Sequence, residues 1–405
     1  MSNAGNRILR YAQQSVLTTA IADGSLNFVE IIGDAQLSPE KTKIDRGTRR
    51  GDNEMNPRLD GPNNPTLSFQ TYCKGNGTQA ADGVAPVAAV ELTELLDATF
   101  GASVSTTGQG DTSDAVDAGT GAQLVVDAAP GTPIANGNAA LILGTTSQKL
   151  VAREIEALAT DTYTLCRGLT DDTGSADTPD ESQVVYASAT WYLNVDNEDH
   201  DFLHFSDEGD TTRYDFFGCT PSGLTITVPD DGGYVTMDWS LDANQYTEPG
   251  APSGDAFSLA AGGTPIQAVD SPVWIDATPY FARGLVITIE LGTTRKTTPH
   301  GLNGYHGHVV PTKSVSITGA LYQGTDTFES ARTDKATFEA DTATQDLLIQ
   351  VGRDAGAAMA IRMPTADISM VPGIIDGQDV YNFTAMGTRS DDQTNRPGPA
   401  RLHLF

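Results

Sequence analysis

Apolar and polar residues alternate with a period of two along much of the chain. The runs 224–228, 235–241, 285–291, 314–321 and 380–385 each place β-branched, aromatic or aliphatic residues at every second position. This is the pattern of a strand with one buried face. Asp-Gly and Gly-Gly pairs punctuate the runs, as at Asp231-Gly232-Gly233 and Asp376-Gly377, where a turn is easy to make. Two short segments carry helical spacing instead. In 90–100, Val90, Leu92, Leu95, Leu96 and Phe100 fall near one face, with Gly101 as a stop; in 342–351, Leu347, Leu348 and Val351 do the same, with Gly352 as the stop.

The runs are arranged as an internal repeat. Pro221 and Pro229 bracket a strand pattern, an Asp231-Gly232 turn follows, and a second strand runs over 234–241. Pro364 and Pro372 bracket another, followed by Asp376-Gly377 and a strand over 380–385. Proline at a strand end is where a sheet tolerates it. Upstream of each predicted helix lies a hairpin: 27–32 with 67–73 around a long polar loop, and 285–291 with 314–321 around a loop holding Asn303-Gly304. The pattern predicts two copies of strand, long loop, strand, short helix, strand, turn, strand. The first covers 25–101 and 201–250, the second 270–405, and residues 1–24 form an N-terminal arm. Residues 102–200 are an insert in the first copy. It opens with a Gly, Ser, Thr and Asp linker composition and continues with strand patterns at 139–143, 151–158, 162–166 and 184–189. Lengthening a surface loop costs little closure entropy, about 0.6 kcal/mol per doubling.

Charge changes the picture most. The chain of 405 residues carries 53 acidic and 24 basic residues, a formal net charge of -29. Such a chain does not bind nucleic acid by neutralising phosphates, because the Coulomb term has the wrong sign. A saline environment is another origin of such acidity. Cys73, Cys166 and Cys219 form no CxxC pair and read as small apolar residues. No secretory signal and no apolar run long enough to cross a bilayer is read.

Candidate chemistry is thin. His300, His306 and His308 include an i, i+2 pair on one strand face, but no third ligand lies close in sequence, so loop histidines are favoured. Asp171, Asp172, Asp177, Asp180 and Glu181, and the run 196–201, do not match calcium-loop spacing and read as solvated loops. Paired carboxylates are too abundant in this composition to point to a glycosidase. Gly-Asn-Gly at 75–77 and Gly108-Gln-Gly110 lack a strand–glycine–helix setting, and there is no GxSxG element. No catalytic, cofactor-binding or metal residues are assigned, and no enzyme is expected. The concentrated basic patch is 44–52. There Arg46, Arg49 and Arg50, with Asp52, suit either a solubilising loop or bidentate docking on carboxylates of another protein.

Three stretches carry a family resemblance: the Arg-rich loop region 43–64 leading into 67–72, the 91–101 helix, and the 217–229 strand with its hairpin, echoed at 361–385. Together they touch about half of the chain. In their order they resemble a tail tube protein (major tail protein) of tailed phages with non-contractile tails. The resemblance implies a mainly β fold. It would hold two tandem tube β-sandwich domains each with a short helix, plus the inserted β domain, and inner sheets merging into a β-barrel tube in the oligomer. It implies a structural virion protein, made in the host cytoplasm and assembled into stacked rings that conduct the genome. Its partners would be itself, the tape measure protein, the tail terminator and tip proteins, and passing double-stranded DNA without specific binding; no cofactor and no membrane are implied. The long hairpin loop of such proteins docks on the adjacent ring, which gives Arg46, Arg49, Arg50 and Asp52 a role between rings. Six tube domains close a ring in this family, so two per chain predict a trimeric ring with pseudo-sixfold symmetry; a hexameric ring is the alternative. Other readings stay open: a decoration or baseplate protein, an extracellular carbohydrate-binding β-sandwich, or a halophilic cell-surface protein.

Overall fold

A computed structural model describes residues 8–14, 21–22, 25–44, 59–75, 92–101, 103–104, 116–120, 122–126, 134, 136–159, 162–170, 175–180, 185–193, 202–209, 212–247, 263–269, 271–276, 278–302, 305–322, 344–388 and 398–405. The fold is mainly β, with large antiparallel sheets and, among the described residues, one helix. Eight strands form its central sheet: β1 (Gln36–Ile44), β2 (Leu59–Tyr72), β3 (Arg213–Val228), β4 (Thr236–Asp242), β5 (Thr278–Leu291), β6 (Lys313–Tyr322), β7 (Ala357–Ile375) and β8 (Gln378–Gly387).

Antiparallel pairings give this sheet the order β1-β2-β4-β3-β5-β6-β8-β7. The first four strands and the last four therefore share one connectivity, and β3 of the first set is laddered directly to β5 of the second. The alternating runs account for this. Leu224, Ile226 and Val228 of β3 sit opposite Ile289, Ile287 and Leu285 of β5, and all six are buried. The core beneath is continuous across both sets and includes Phe69, Trp239, Ile317, Met370 and Phe383.

Strands β3 and β7 are both long because each serves two sheets. The first half of β3 pairs with Phe202–Glu208 and Gln245–Thr247, its second half with β4 and β5. The first half of β7 pairs with Gln345–Asp354 and Arg401–Leu404, its second half with β8. The outer strands close the core from the far side in a sandwich-like arrangement. Helix α1 (Thr93–Phe100) packs there with Leu95, Leu96 and Phe100 fully buried, and Gly101 caps it at φ 81°.

Several elements differ from expectation. The second helix, expected over 342–351, is the strand Gln345–Asp354. It is covered on both faces: Leu347, Ile349 and Val351 enter the main core, while Leu348 enters a second core and Gln350 bonds across to residue 152. A strand buried on two sides reads as a near-continuous apolar run, which periodicity does not separate from a helix. Gly352, at φ 74°, marks a register shift, not a helix stop. The 27–32 strand is shorter, Asn27–Val29, and pairs with Ile8–Gln14. The hairpin partner of β2 is β1, whose polar sequence read as loop. Ile8–Gln14, within the stretch assigned to an N-terminal arm, pairs along its length with Phe202–Glu208. Within the insert, strands Val116–Thr120, Gln123–Val126, Ala139–Leu143, Leu150–Ala159, Thr162–Leu165 and Tyr186–Ala187 form a separate six-stranded sheet.

Candidate functional site

The central sheet buries one face and leaves the other open. Cross-strand registers line the open positions up in rows. One row runs Gln70, Asp238, Thr225, Thr288, Ser316, Met386, Asp367; the next runs Tyr72, Thr236, Thr227, Val286, Thr318, Thr384, Ser369. Serine and threonine dominate because they suit a pleated, half-wet surface at low side-chain bulk. Asp238, Glu290 and Asp367 are exposed on this face, and Asp242 is half-buried. The basic side chain on the described part of this face is Arg283, opposite Ala320 at one end of the sheet, and two carboxylates neutralise it there. Gln70 donates from Nε2 to Asp238 Oδ1 at 2.8 Å, holding that carboxylate outward. Burial pushes the Asp242 carboxyl up, against the nearby Arg295 guanidinium.

The edges of the sheet are its second feature. Among the described residues, no strand is laddered to the outward side of β1, nor to that of β7 beyond residue 366. Asp376 and Gly377 both have positive φ, 51° and 78°, so they form the two-residue primed turn that Asp-Gly favours. Ile375 and Gln378 then close the turn as a hydrogen-bonded pair. Alternation from there turns the backbone groups of Ile374, Pro372 and Ile368 away from β8. Pro372, which has no N–H, therefore costs the ladder nothing. Val371 and Ile374 near this edge are 63% and 72% exposed.

The two ends of the sheet also differ. The registers place the β1–β2 hairpin tip and the hairpin of Thr294–Leu302 with Tyr305–Val309 at one end, where Gly223 faces Glu290. The turns 229–234 and 376–377 lie at the other, where Val228 faces Leu285. There the Arg283 guanidinium bridges Asp230 at 2.6 Å and Asp376 at 2.5 Å, tying the turns of the two strand sets together. Those carboxylates hold the guanidinium above its ordinary value. A cavity of about 260 Å³ lies beside it, lined by Pro229, Phe281 and Tyr322 among others.

The residues singled out from sequence fare unevenly. Arg46, Arg49, Arg50 and Asp52 lie outside the described residues, as do Asp171, Asp172 and the run 196–201. His308 is buried, with Nδ1 3.3 Å from Thr220 Oγ1, and burial lowers its imidazole to about 4. Nothing is described of the side chains of His300 and His306. Asp177 accepts the amides of Thr146, Ser147 and Thr178 and so caps a turn. Among the described residues no three His, Cys, Asp or Glu side chains gather as a metal site. Cys73 and Cys219 are fully buried free thiols, and Cys166 is free and partly covered. The open face escaped the sequence reading, although its signal was present: the polar half of each alternation reads Thr-x-Thr in β3 and Ser-x-Ser-x-Thr in β6.

No protein-family model matches the sequence, and no curated protein matches it.

Proposed function

We propose that this chain is the structural subunit of a viral tail tube, with no enzymatic activity. It would build a conduit whose wall is the open face of the central sheet. The observation that carries this reading is the joint between β3 and β5. Strand β3 ends the first strand set and β5 begins the second, and both sets have the same order. The free edge of β7 is the counterpart of the β3 edge, and the free edge of β1 is the counterpart of the β5 edge. A second copy can therefore add its β1 to β7 as β5 adds to β3. The contact is heterologous, so it propagates until rotation closes it. Three chains, each with two sets, give a trimeric ring with pseudo-sixfold symmetry and two tandem tube domains per chain.

The open face suits the work of such a wall. Short hydroxyl side chains give a low, hydrated surface, and its carboxylates repel a passing polyanion over a screening length of about 10 Å at 0.1 M salt. Closed edges would also remove the hazard of long unpaired strands. Stacking of rings would bring the hairpin end of one ring, with Arg46, Arg49, Arg50 and Asp52, against the turn end of the next, which carries Asp230, Asp231 and Asp376. The tape measure, terminator and tip proteins are the partners this reading implies, in a virion tail.

Negative-stain electron microscopy of the concentrated protein across a salt series tests it. Filaments of stacked rings with threefold averages and a central channel are expected, with salt promoting stacking by screening. Rings of six chains would overturn the two-set arrangement. Monodisperse particles at every salt concentration would overturn the tube itself.

A further inference from the structure

The insert leaves the first strand set after α1 yet packs on the second. Its core, with Leu141, Ile142 and Ile155, is shared with Trp274, Leu348, Ala360 and Phe405, all from the second half of the chain. A buried ionic chain crosses the contact three times. Arg401 pairs with Glu154, and Glu154 pairs with Arg362 at 3.1 Å. Arg362 meets Asp346 bidentately at 3.0 and 3.1 Å, and Asp346 pairs with Arg167 at 2.8 Å. Glu154 and Arg167 belong to the insert; Arg401, Arg362 and Asp346 belong to the second set. Charges alternate along the chain, the condition under which buried ions are tolerated at all.

Neutral contacts surround this weld. Gln350 accepts from the Ala152 amide at 2.8 Å and donates to the Leu150 carbonyl at 3.1 Å, splicing Gln345–Asp354 to the insert. The Arg153 guanidinium lies 4.7 Å over the Trp274 ring. Where the insert returns to the first set, Ala189–Tyr192 pairs with Arg401–Leu404, which pairs in turn with β7. The insert is thus covalently attached to one set and welded to the outer strands of the other.

We propose that the insert is an intramolecular strap that fixes the angle between the two strand sets, so that each chain behaves as one preformed arc. Its consequence for assembly rests on the tube reading: ring joints within chains would be strapped and those between chains would not. The strap itself is a property of the single chain and is tested there.

Spin labels at Ser68→Cys and Thr384→Cys, on the open face of the two sets, report the angle as a distance distribution. The full chain is compared with Glu154→Ala, which leaves two buried guanidinium groups without their shared carboxylate. The expected result is a narrow distribution that broadens about twofold in Glu154→Ala, since opening of one cooperative unit loosens what it holds. An unchanged width, with amide exchange showing that 150–159 has lost protection, would overturn the strap. Should Glu154→Ala not fold, native-state hydrogen exchange of the unaltered chain in rising urea decides the matter. The strap requires 150–159 and the β3–β5 amides to open together; release of the insert alone, with the joint still protected, overturns it. Neither readout needs rings, so failure to form tubes would count against the proposed function and leave the strap standing.

Discussion

The joint between β3 and β5 and the outer edges at β1 and β7 are the same kind of strand edge in two conditions. Inside the chain, six consecutive residues of β3 face six of β5, and the three core-facing residues of each are buried. At the outer edges the described residues supply no further strand, although β1 is nine residues long and the β7 edge ends in exposed Val371 and Ile374. A monomer usually shortens, charges or covers such edges. Here β1 carries Pro39, Glu40, Lys41 and Lys43 while β7 carries Pro372, but neither edge is short or covered by a described strand. The difference teaches that one such edge is paired within the chain while, among the described residues, its counterparts at β1 and β7 carry no partner strand.

That comparison breaks most directly at Ile374. Its backbone groups turn away from β8 and its side chain is exposed, so Ile374→Pro should abolish filaments by electron microscopy. Monomer stability should change by only about 0.5 kcal/mol. Filaments of normal length from this variant would remove β7 from the ring contact.

The two faces of the sheet should respond just as differently. Trp239 is 1% exposed and donates from Nε1 to Thr71 Oγ1 at 3.0 Å. Trp239→Ala should cost about 3–5 kcal/mol in urea unfolding. Its neighbour on the open face, Ser240, should tolerate alanine within about 0.5 kcal/mol. Equal losses would mean the open face is not open.

An intermediate effect should come from pH at the hairpin end. The imidazole of His308 is lowered from 6.5 to about 4, chiefly by burial and further by the Arg295 charge. A base whose folded value is depressed takes up its proton more readily when unfolded. Stability is therefore full above pH 6.5 and is lost as pH falls from 6.5 towards 4, by up to about 3 kcal/mol. His308→Gln should flatten the urea midpoint between those pH values; an unchanged slope would assign it to another group.

Much of the central sheet was legible because the sheet buries one face only and alternation reports that directly. Every strand of it but β1 has a counterpart in the sequence pattern. The insert's strand Thr162–Leu165 was legible for the same reason, and Ala139–Leu143, buried on both faces, was legible as a short apolar run. The strand Gln345–Asp354 was not, because the insert covers its second face and the alternation is filled in. Strand β1 was not, because its sequence (Gln36-Leu-Ser-Pro-Glu-Lys) is mostly polar and it becomes a strand only by pairing with β2. The ionic weld was invisible since Glu154, Asp346 and Arg401 are far apart in sequence and each resembles an ordinary surface charge.

By itself, then, the sequence determined the strand periodicity, the repeated hairpins, the helix ending at Gly101 and the excess of negative charge, all of which are local patterns or totals. Only the tertiary structure decided which strands sit side by side, which edges stay open and where the insert lands. Those depend on registers between distant segments, and a register is chosen by the burial of whole faces at once, a quantity no single stretch of sequence contains.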